Sequence, residues 1–520
     1  MNFEGKRAAL HTLGCKVNEY ETDAMRSCLE SAGFTIVDFR EKADVYVINT
    51  CSVTNIADRK SRQMISRAKR SNPDAVVVAA GCYVQTALER TGKNVDADIL
   101  LGSGRKSALV EELGNYFRAM EAAGEYRSLG VQEPGAGGGN EAHSLVKTPH
   151  RPEAPDSASA DRDVIRNVSD VMKERKYDAL SLPRIEGHTR AFIKVQDGCN
   201  MFCSYCIIPF ARGRVRSRDM EDILDELRGL ASQGIREVVL TGIHLSSYGV
   251  DFDTDVASAY GTNGEGRAWQ TRSKLIDLIE AVSGIEGIER IRLGSLEPTI
   301  ITEEFVERLS RIREVCPHFH LSLQSGCDSV LRRMNRHYTT QEYMGCLELL
   351  RSAYDRPAIT TDVIAGFPGE SGEEFESTVR FLNEAHFYET HLFRFSMRAG
   401  TRAARMEGQI PESVKEERLK ALAELDRRMR GRFESSWDGM SVEALIEEAV
   451  HIDENGRVST PNSGRAGTSR PEIHLPPGET LYTGYTREYM RVFVLSKNDL
   501  RGKIITGKIN TKSMVIEIDG

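Results

Sequence analysis

Cys199, Cys203 and Cys206 fall within eight residues, in the run Asp197-Gly198-Cys199-Asn200-Met201-Phe202-Cys203-Ser204-Tyr205-Cys206. This spacing constrains the chain more than any other feature, because thiols so close together belong on a loop wrapped around one object. Three thiolates at C-x3-C-x2-C can hold three corners of a cube-shaped iron–sulfur cluster and leave the fourth iron open to a small molecule. A structural zinc site usually shows paired C-x2-C arms and a fourth Cys or His, and no second arm lies nearby. Three core cysteines are a poorer fit, since the surrounding loop is polar and carries a glycine.

The bulk numbers set the frame. A chain of 520 residues has room for two to four domains. No apolar run approaches bilayer length, and residues 1–20 lack a basic flank followed by an apolar core, so a cytoplasmic protein without a membrane partner is expected. Ten cysteines in such a chain point to reduced thiols used for metal or redox chemistry rather than disulfides. The net charge of −8 offers no global attraction to nucleic acid, so any RNA contact has to come from local basic patches.

The pattern along the chain is α/β. Strands are predicted at 7–13, 44–49 and 75–80, with helices at 20–32 and 57–70, giving an N-terminal α/β three-cysteine domain over 1–120. Residues 121–184 have the Pro, Gly, Ser and Ala content of a mobile linker, parts of which could pack as an irregular strap. Strands at 191–196, 237–241, 290–294, 320–323, 359–364 and 389–395 alternate with helices at 220–232, 275–282, 303–312, 340–354 and 373–385. Six such units suit a partial, open (β/α)6 barrel over 185–432, with a surface insertion at 251–272. The charged helix at 412–432 reads as a connector. Residues 433–520 fit a small β-barrel with a polar loop at 454–478.

A second set of cysteines is scattered in sequence but alike in position. Cys15, Cys51 and Cys82 each follow a predicted strand, and loops after parallel strands gather on one edge of a sheet. Gly14 and Gly81 would allow close backbone approach to a bulky ligand. From topology alone, small hydrophobic cysteines at strand ends remain a fair competitor.

The C-x3-C-x2-C run, with Tyr205 before its last cysteine, resembles the radical S-adenosylmethionine (SAM) enzymes. The whole arrangement of three-cysteine domain, cluster loop and small barrel resembles the methylthiotransferases. Thr12-Leu13-Gly14-Cys15-Lys16-Val17-Asn18, Cys51-Ser52-Val53-Thr54-Asn55 and Lys60-Ser61-Arg62-Gln63 are similar to the branch acting on N6-threonylcarbamoyladenosine in tRNA. The isopentenyladenosine branch typically has Gln-Met-Asn after the first cysteine, and the ribosomal-protein branch Pro-Lys-Asn. The resemblance implies two 4Fe–4S clusters, one on Cys199, Cys203 and Cys206 and one on Cys15, Cys51 and Cys82. It further implies a SAM-derived 5′-deoxyadenosyl radical, replacement of the adenine C2 hydrogen by a methylthio group, and an RNA-binding C-terminal barrel of the TRAM type. An electron donor such as flavodoxin or ferredoxin is expected as partner.

SAM contacts are expected from Tyr205 and from the strand ends at Thr241, Gly242, Ser295, Glu297 and Gln324, each of which could equally be a rim turn or a structural hydrogen bond. His244, His318 and His320 read as structural. Arg62, Arg67 and Lys69 on the helix after Cys51, and Arg212, Arg214 and Arg216 after the cluster loop, are candidate phosphate contacts. Arg487 and Arg491, among Tyr482, Tyr485, Tyr489 and Phe493, suit unpaired bases, although barrel-core aromatics would look similar. The rival readings are the same chemistry on isopentenyladenosine or on a ribosomal protein, and a non-catalytic RNA-binding protein with structural zinc.

Overall fold

The computed structural model describes residues 3–92, 94–122, 164–182, 189–252, 272–452, 458–459 and 477–518. The insertion at 251–272 and the loop at 454–478 lie almost wholly outside them.

Strands β1 (Arg7–Thr12), β2 (Thr35–Val37), β3 (Val45–Thr50), β4 (Val76–Gly81), β5 (Ile99–Leu101) and β6 (Ile165–Asn167) form one parallel sheet in the order β2-β1-β3-β4-β5-β6. Both faces of β3 and β4 are buried, as continuous runs such as Val76-Val77-Val78-Ala79-Ala80 require of a sheet covered by helices. Helix α1 (Lys16–Ser31) follows β1, and α2 (Asn55–Ser71) follows β3, capped by the Thr54 side chain accepting from the Ala57 amide at 3.1 Å. Helix α3 (Cys82–Thr86) follows β4, and α4 (Leu109–Ala122) completes the layer. Strand β6 revises the linker reading. Residues 164–182 are packed, with Ile165 pairing Ile99 and with Val171, Leu180 and Leu182 buried. Three residues of edge strand inside a polar stretch leave no periodicity to read.

The middle of the chain is the expected open barrel. Strands β7 (Arg190–Asp197), β9 (Glu237–Gly242) and β10 (Arg290–Leu293) run parallel, with β8 (Arg216–Ser217) antiparallel on the β7 edge. Strands β11 (His318–His320), β12 (Ala358–Ala365) and β13 (Glu389–Arg394) continue the wall, joined to β10 by the bridges Ile291–Val315 and Leu296–Leu321. No pairing links β13 back to β7 among the described residues, so the barrel is open on that side. Alternation sorts the strands. Ala191, Ile193, Val238, Leu240, Ile291, Leu293 and Phe319 pack outward on the helix layer, so Arg190, Phe192, Lys194, Glu237, Arg290, Arg292, His318 and His320 face the lumen. The helix Glu412–Ser435 is more than a connector: Leu422, Leu425 and Met429 are buried in the same core, as the last helix of the sixth unit requires.

The C-terminal region closes as a five-stranded barrel of β14 (Ser441–Ala449), β17 (Thr480–Thr486), β18 (Arg491–Ser496), β20 (Val515–Glu517) and β19 (Ile504–Asn510), beside a short pair β15 (His451–Ile452) and β16 (Val458–Ser459). Gly484 sits where a Cβ would come 2.0 Å from the Leu445 carbonyl, next to the bulge at Ile446/Glu448, so only glycine permits this crossing.

Candidate active site

Cys15, Cys51 and Cys82 lie at the carboxyl ends of β1, β3 and β4, which are neighbours in the sheet. Topology therefore brings the three thiols together, and all three are free. Gly14, at φ +109°, lies so close that a Cβ there would stand 2.8 Å from both Cβ and Sγ of Cys51. Asn18 ties the loops by donating to the carbonyls of Leu13 (2.6 Å) and Thr50 (3.1 Å). Cys15 is exposed, while Cys51 and Cys82 are buried. Burial, with the neighbouring thiols adding to it, pushes Cys51 up to about 12.

Behind Cys82 lies a buried ionic knot. The Arg212 Nε donates to Cys82 Sγ at 3.3 Å, and its other nitrogens reach Asn18 Oδ1 (2.6 Å), Glu21 (2.6 Å) and Asp197 (3.2 Å). Lys106 pairs with Glu21, and Lys194 bridges Glu21 (2.7 Å) and Asp197 (2.6 Å). Arg216 lies 3.8 Å from Asp197. Burial alone would raise the Glu21 carboxyl, but Arg212, Lys106 and Lys194 outweigh it and hold it well below the usual range. The same contest lowers Asp197, with Arg212 and Lys194 as its main partners. Among the described residues, Lys106, Lys194, Arg212 and Arg216 thus share just two carboxylates, Glu21 and Asp197. Buried cations in excess of carboxylates need another anion, and metal-bound thiolates beside Cys82 would supply it.

The loop carrying the other three cysteines is held from both sides. Gly198, at φ +73°, admits no side chain, because a Cβ would lie 1.8 Å from the Arg214 carbonyl. Gln196 donates to the carbonyls of Asp197 and Gly198, both at 2.7 Å, and Asn335 to those of Met201 (3.3 Å) and Phe202 (3.2 Å). Each thiol meets a donor. The Met201 amide reaches Cys199 Sγ at 3.5 Å, the Ile208 amide Cys206 Sγ at 3.4 Å, and Arg336 Nη1 Cys203 Sγ at 3.3 Å. Such N–H···S contacts suit cluster thiolates. Burial pushes Cys199 up and Cys206 to about 12, so metal binding here has to displace protons. Among the described residues no group of three side chains is closed around a single metal ion.

The expected SAM residues divide. Glu297 is buried, its Oε2 accepting from Arg336 at 2.7 Å, while Oε1 has no partner. An unpartnered carboxylate oxygen joined through Arg336 to Cys203 fits a hydroxyl-bearing ligand on the open side of a cluster. Thr241 is buried at the lumen end of β9, and Gln324, at φ +73°, is buried where β11 gives way to a turn. Gly242 lets Gln196 lie across it, since a Cβ would sit 2.9 Å from Gln196 Oε1. Ser295 is exposed, and the Tyr205 ring packs among Val330, Met334, Phe367 and Phe395.

Residues 193–382 match the family model described as the radical SAM superfamily, and residues 7–102 match an uncharacterized protein family, UPF0004. The chain is 36% identical over 502 residues to a threonylcarbamoyladenosine tRNA methylthiotransferase, MtaB, of Bacillus subtilis, covering 96% of this chain and 93% of that protein. The chain belongs to the MtaB-type radical SAM methylthiotransferases. The MtaB of Aquifex aeolicus is 36% identical over 86% of this chain and 95% of its own. A tRNA-2-methylthio-N(6)-dimethylallyladenosine synthase of Clostridium novyi is 30% identical over 89% of this chain and 90% of its own.

For a methylthiotransferase, the expected RNA contacts need correction. Arg212 and Arg216 are 0% and 1% exposed, locked in the ionic knot, so neither offers a charge to phosphate. Alternation fails there because α5 (Ile208–Arg212) turns Arg212 inward and β8 turns Arg216 toward Asp197. Arg214 is half-buried over the Phe202 ring. Arg487 is also withdrawn, donating to the Val315 carbonyl at 2.9 Å and to that of Arg313. Tyr485 and Tyr489 stack on each other and on Arg190, with Arg292 over Tyr489, so they dock the C-terminal barrel rather than await a base. Arg62 and Arg67 are exposed on α2, Lys69 is engaged by Asp96 at 2.6 Å, and Arg491 is half-buried over Phe493. Sequence reading missed Arg336 and Glu21, and it assigned Arg212 to phosphate rather than to Cys82 and the buried carboxylates. Arg336 stands 133 residues from the cysteine it serves, and no spacing connects them.

Proposed function

We propose that Cys199, Cys203 and Cys206 hold the SAM-binding 4Fe–4S cluster and Cys15, Cys51 and Cys82 the second one, in an enzyme that converts N6-threonylcarbamoyladenosine beside the tRNA anticodon to its 2-methylthio derivative. The observation that carries this reading is the pair of three-thiol groups on one chain, with Arg212, from the segment after Cys206, donating to Cys82. When bound, the clusters and SAM supply one-electron chemistry, sulfur and a methyl group, which side chains alone cannot bring to an unactivated C2–H bond.

The chain's own residues position and shield. Gln196, Asn335 and Gly198 fix the loop that would present SAM, and Glu297 Oε1 accepts from a ligand hydroxyl. Apolar Met201 and Val250 pack around the same thiols and keep water from them. The target base lies in a single-stranded loop, so little duplex has to open. Arg62 and Arg67 take flanking phosphates, with the C-terminal barrel as a further RNA surface. A low-potential donor such as flavodoxin or ferredoxin supplies the electron, in the cytoplasm. No described helix is long and apolar enough to cross a membrane.

The test is nucleoside mass spectrometry on tRNA from cells lacking the gene, with and without its restoration. Loss and return of 2-methylthio-threonylcarbamoyladenosine is the expected result. Restoration by the Cys15→Ala chain would refute the second-cluster role, and a change confined to the isopentenyl nucleoside would refute the substrate.

A further inference from the structure

Lys16 directly follows Cys15, yet it is not part of the ionic knot. Its side chain is exposed, and its Nζ stands 5.8 Å from the ring centres of both Phe192 and Tyr489 on the lumen side. Among the described residues no carboxylate lies within ion-pair distance of it. Deeper in the same lumen, the His318 ring packs against Tyr489 at 4.9 Å, 7% exposed, and its Nδ1 has no hydrogen-bond partner. His320 stacks on His391 at 5.3 Å and lies 3.3 Å from Asp362, and His391 lies 4.0 Å from Glu389. Arg292, which also faces His318, is taken up by Glu237 at 2.7 Å and by the carbonyls of Thr486 and Arg487. Arg190 lies over the same two rings but is paired with Glu447 at 3.1 Å, so among the described residues the wall beside Cys15 carries an ammonium without an ion pair and an imidazole nitrogen without a hydrogen bond, framed by aromatic rings.

We infer that this corner receives the N6 substituent of the modified adenosine, with Lys16 pairing its carboxylate and His318 hydrogen-bonding its carbamoyl or hydroxyl group. The inference rests on the substrate reading above. Sulfur delivered from a cluster on Cys15 has to meet adenine C2, and C6, which carries N6, belongs to the same six-membered ring of the base. A base so placed brings its N6 chain to the residue beside Cys15, which is Lys16. An aliphatic N6 chain would bury this ammonium without an anion, at a desolvation cost that selects against it. Lys16 thereby acts as a specificity residue, separate from the chemistry of the clusters.

The experiment measures equilibrium binding of two anticodon stem-loop RNAs to the cluster-loaded full chain, by fluorescence anisotropy at fixed salt. One RNA carries threonylcarbamoyladenosine and the other carries unmodified adenosine at the same position. A charge-assisted contact of this type is worth about tenfold or more in affinity, so the wild-type chain should prefer the modified RNA by at least that ratio. Lys16→Gln should bring the ratio close to one, and Lys16→Arg should keep most of it. Iron content and visible absorbance establish that each variant is loaded. If the wild type discriminates and Lys16→Gln discriminates equally, the assignment of Lys16 is overturned while the substrate reading stands. If the wild type binds both RNAs alike, the substrate reading itself fails.

Discussion

One guanidinium can set the properties of a metal centre. Arg336 donates to Cys203 Sγ at 3.3 Å and to Glu297 at 2.7 Å while almost wholly buried. Hydrogen bonds to cluster sulfur favour the more negative, reduced state. Arg336→Met should therefore lower the reduction potential of the SAM-binding cluster, as read by EPR-monitored titration. An unchanged potential would count against the contact. The same change strands Glu297, and removing one partner of a buried pair costs about 3–5 kcal/mol, so the melting temperature should fall as well. Gly198 is a sharper case. Its φ of +73° and the 1.8 Å approach of a Cβ to the Arg214 carbonyl leave Gly198→Ala no relaxed conformation. The expected outcome is a folded chain with less iron in its barrel cluster and normal iron on Cys15, Cys51 and Cys82. Full loading at both centres would contradict it.

Among elements, the legible and the hidden part company for physical reasons. The three strands predicted for the N-terminal sheet and the six predicted for the open barrel stand within a few residues of their expected positions, because continuous Val and Ala runs and amphipathic helices announce themselves, whereas the short strands β2, β5 and β8 went unread. The helix Met220–Ser232 matches the predicted 220–232. The convergence of Cys15, Cys51 and Cys82 was legible too, since parallel strands gather their following loops. Strand β11 was placed two residues late. His318 already pairs with Ala358, while beyond His320 the Thr361 hydroxyl takes the Leu323 amide at 3.0 Å and ends the ladder. The alternating arginines at 212–218 were misread because alternation presumes an extended segment, and α5 interrupts it. Such a knot is written in tertiary contacts: Glu21 and Lys194 are 173 residues apart. Polar composition also masked β6, whose fit depends on a free sheet edge rather than on its own sequence.

At the scale of the molecule, Glu21 and Asp197 couple the N-terminal domain to the barrel, and the coupling titrates. Both carboxyls have folded values below their ordinary ones, so their contribution is complete above about pH 4 and is lost as the pH falls through the depressed folded values. Glu21→Gln should lower the thermal midpoint at pH 7. The gap between variant and wild type should narrow progressively below pH 4, in scanning calorimetry. A gap that stays constant into strong acid would show that the carboxylate charge is not what holds the junction. At the opposite end of the barrel, Glu237 gathers Arg290 (2.9 Å) and Arg292 (2.7 Å), which in turn hold the carbonyls of Tyr485, Thr486 and Arg487. Arg292→Ala should loosen this docking and open the C-terminal barrel to limited proteolysis, with the N-terminal domain spared.

That docking has a kinetic consequence. The turn between β17 and β18 packs on Arg290, Arg292 and His318 and so plugs the lumen at the amino ends of these strands. Ligand traffic through that end is stopped for as long as the plug stays seated.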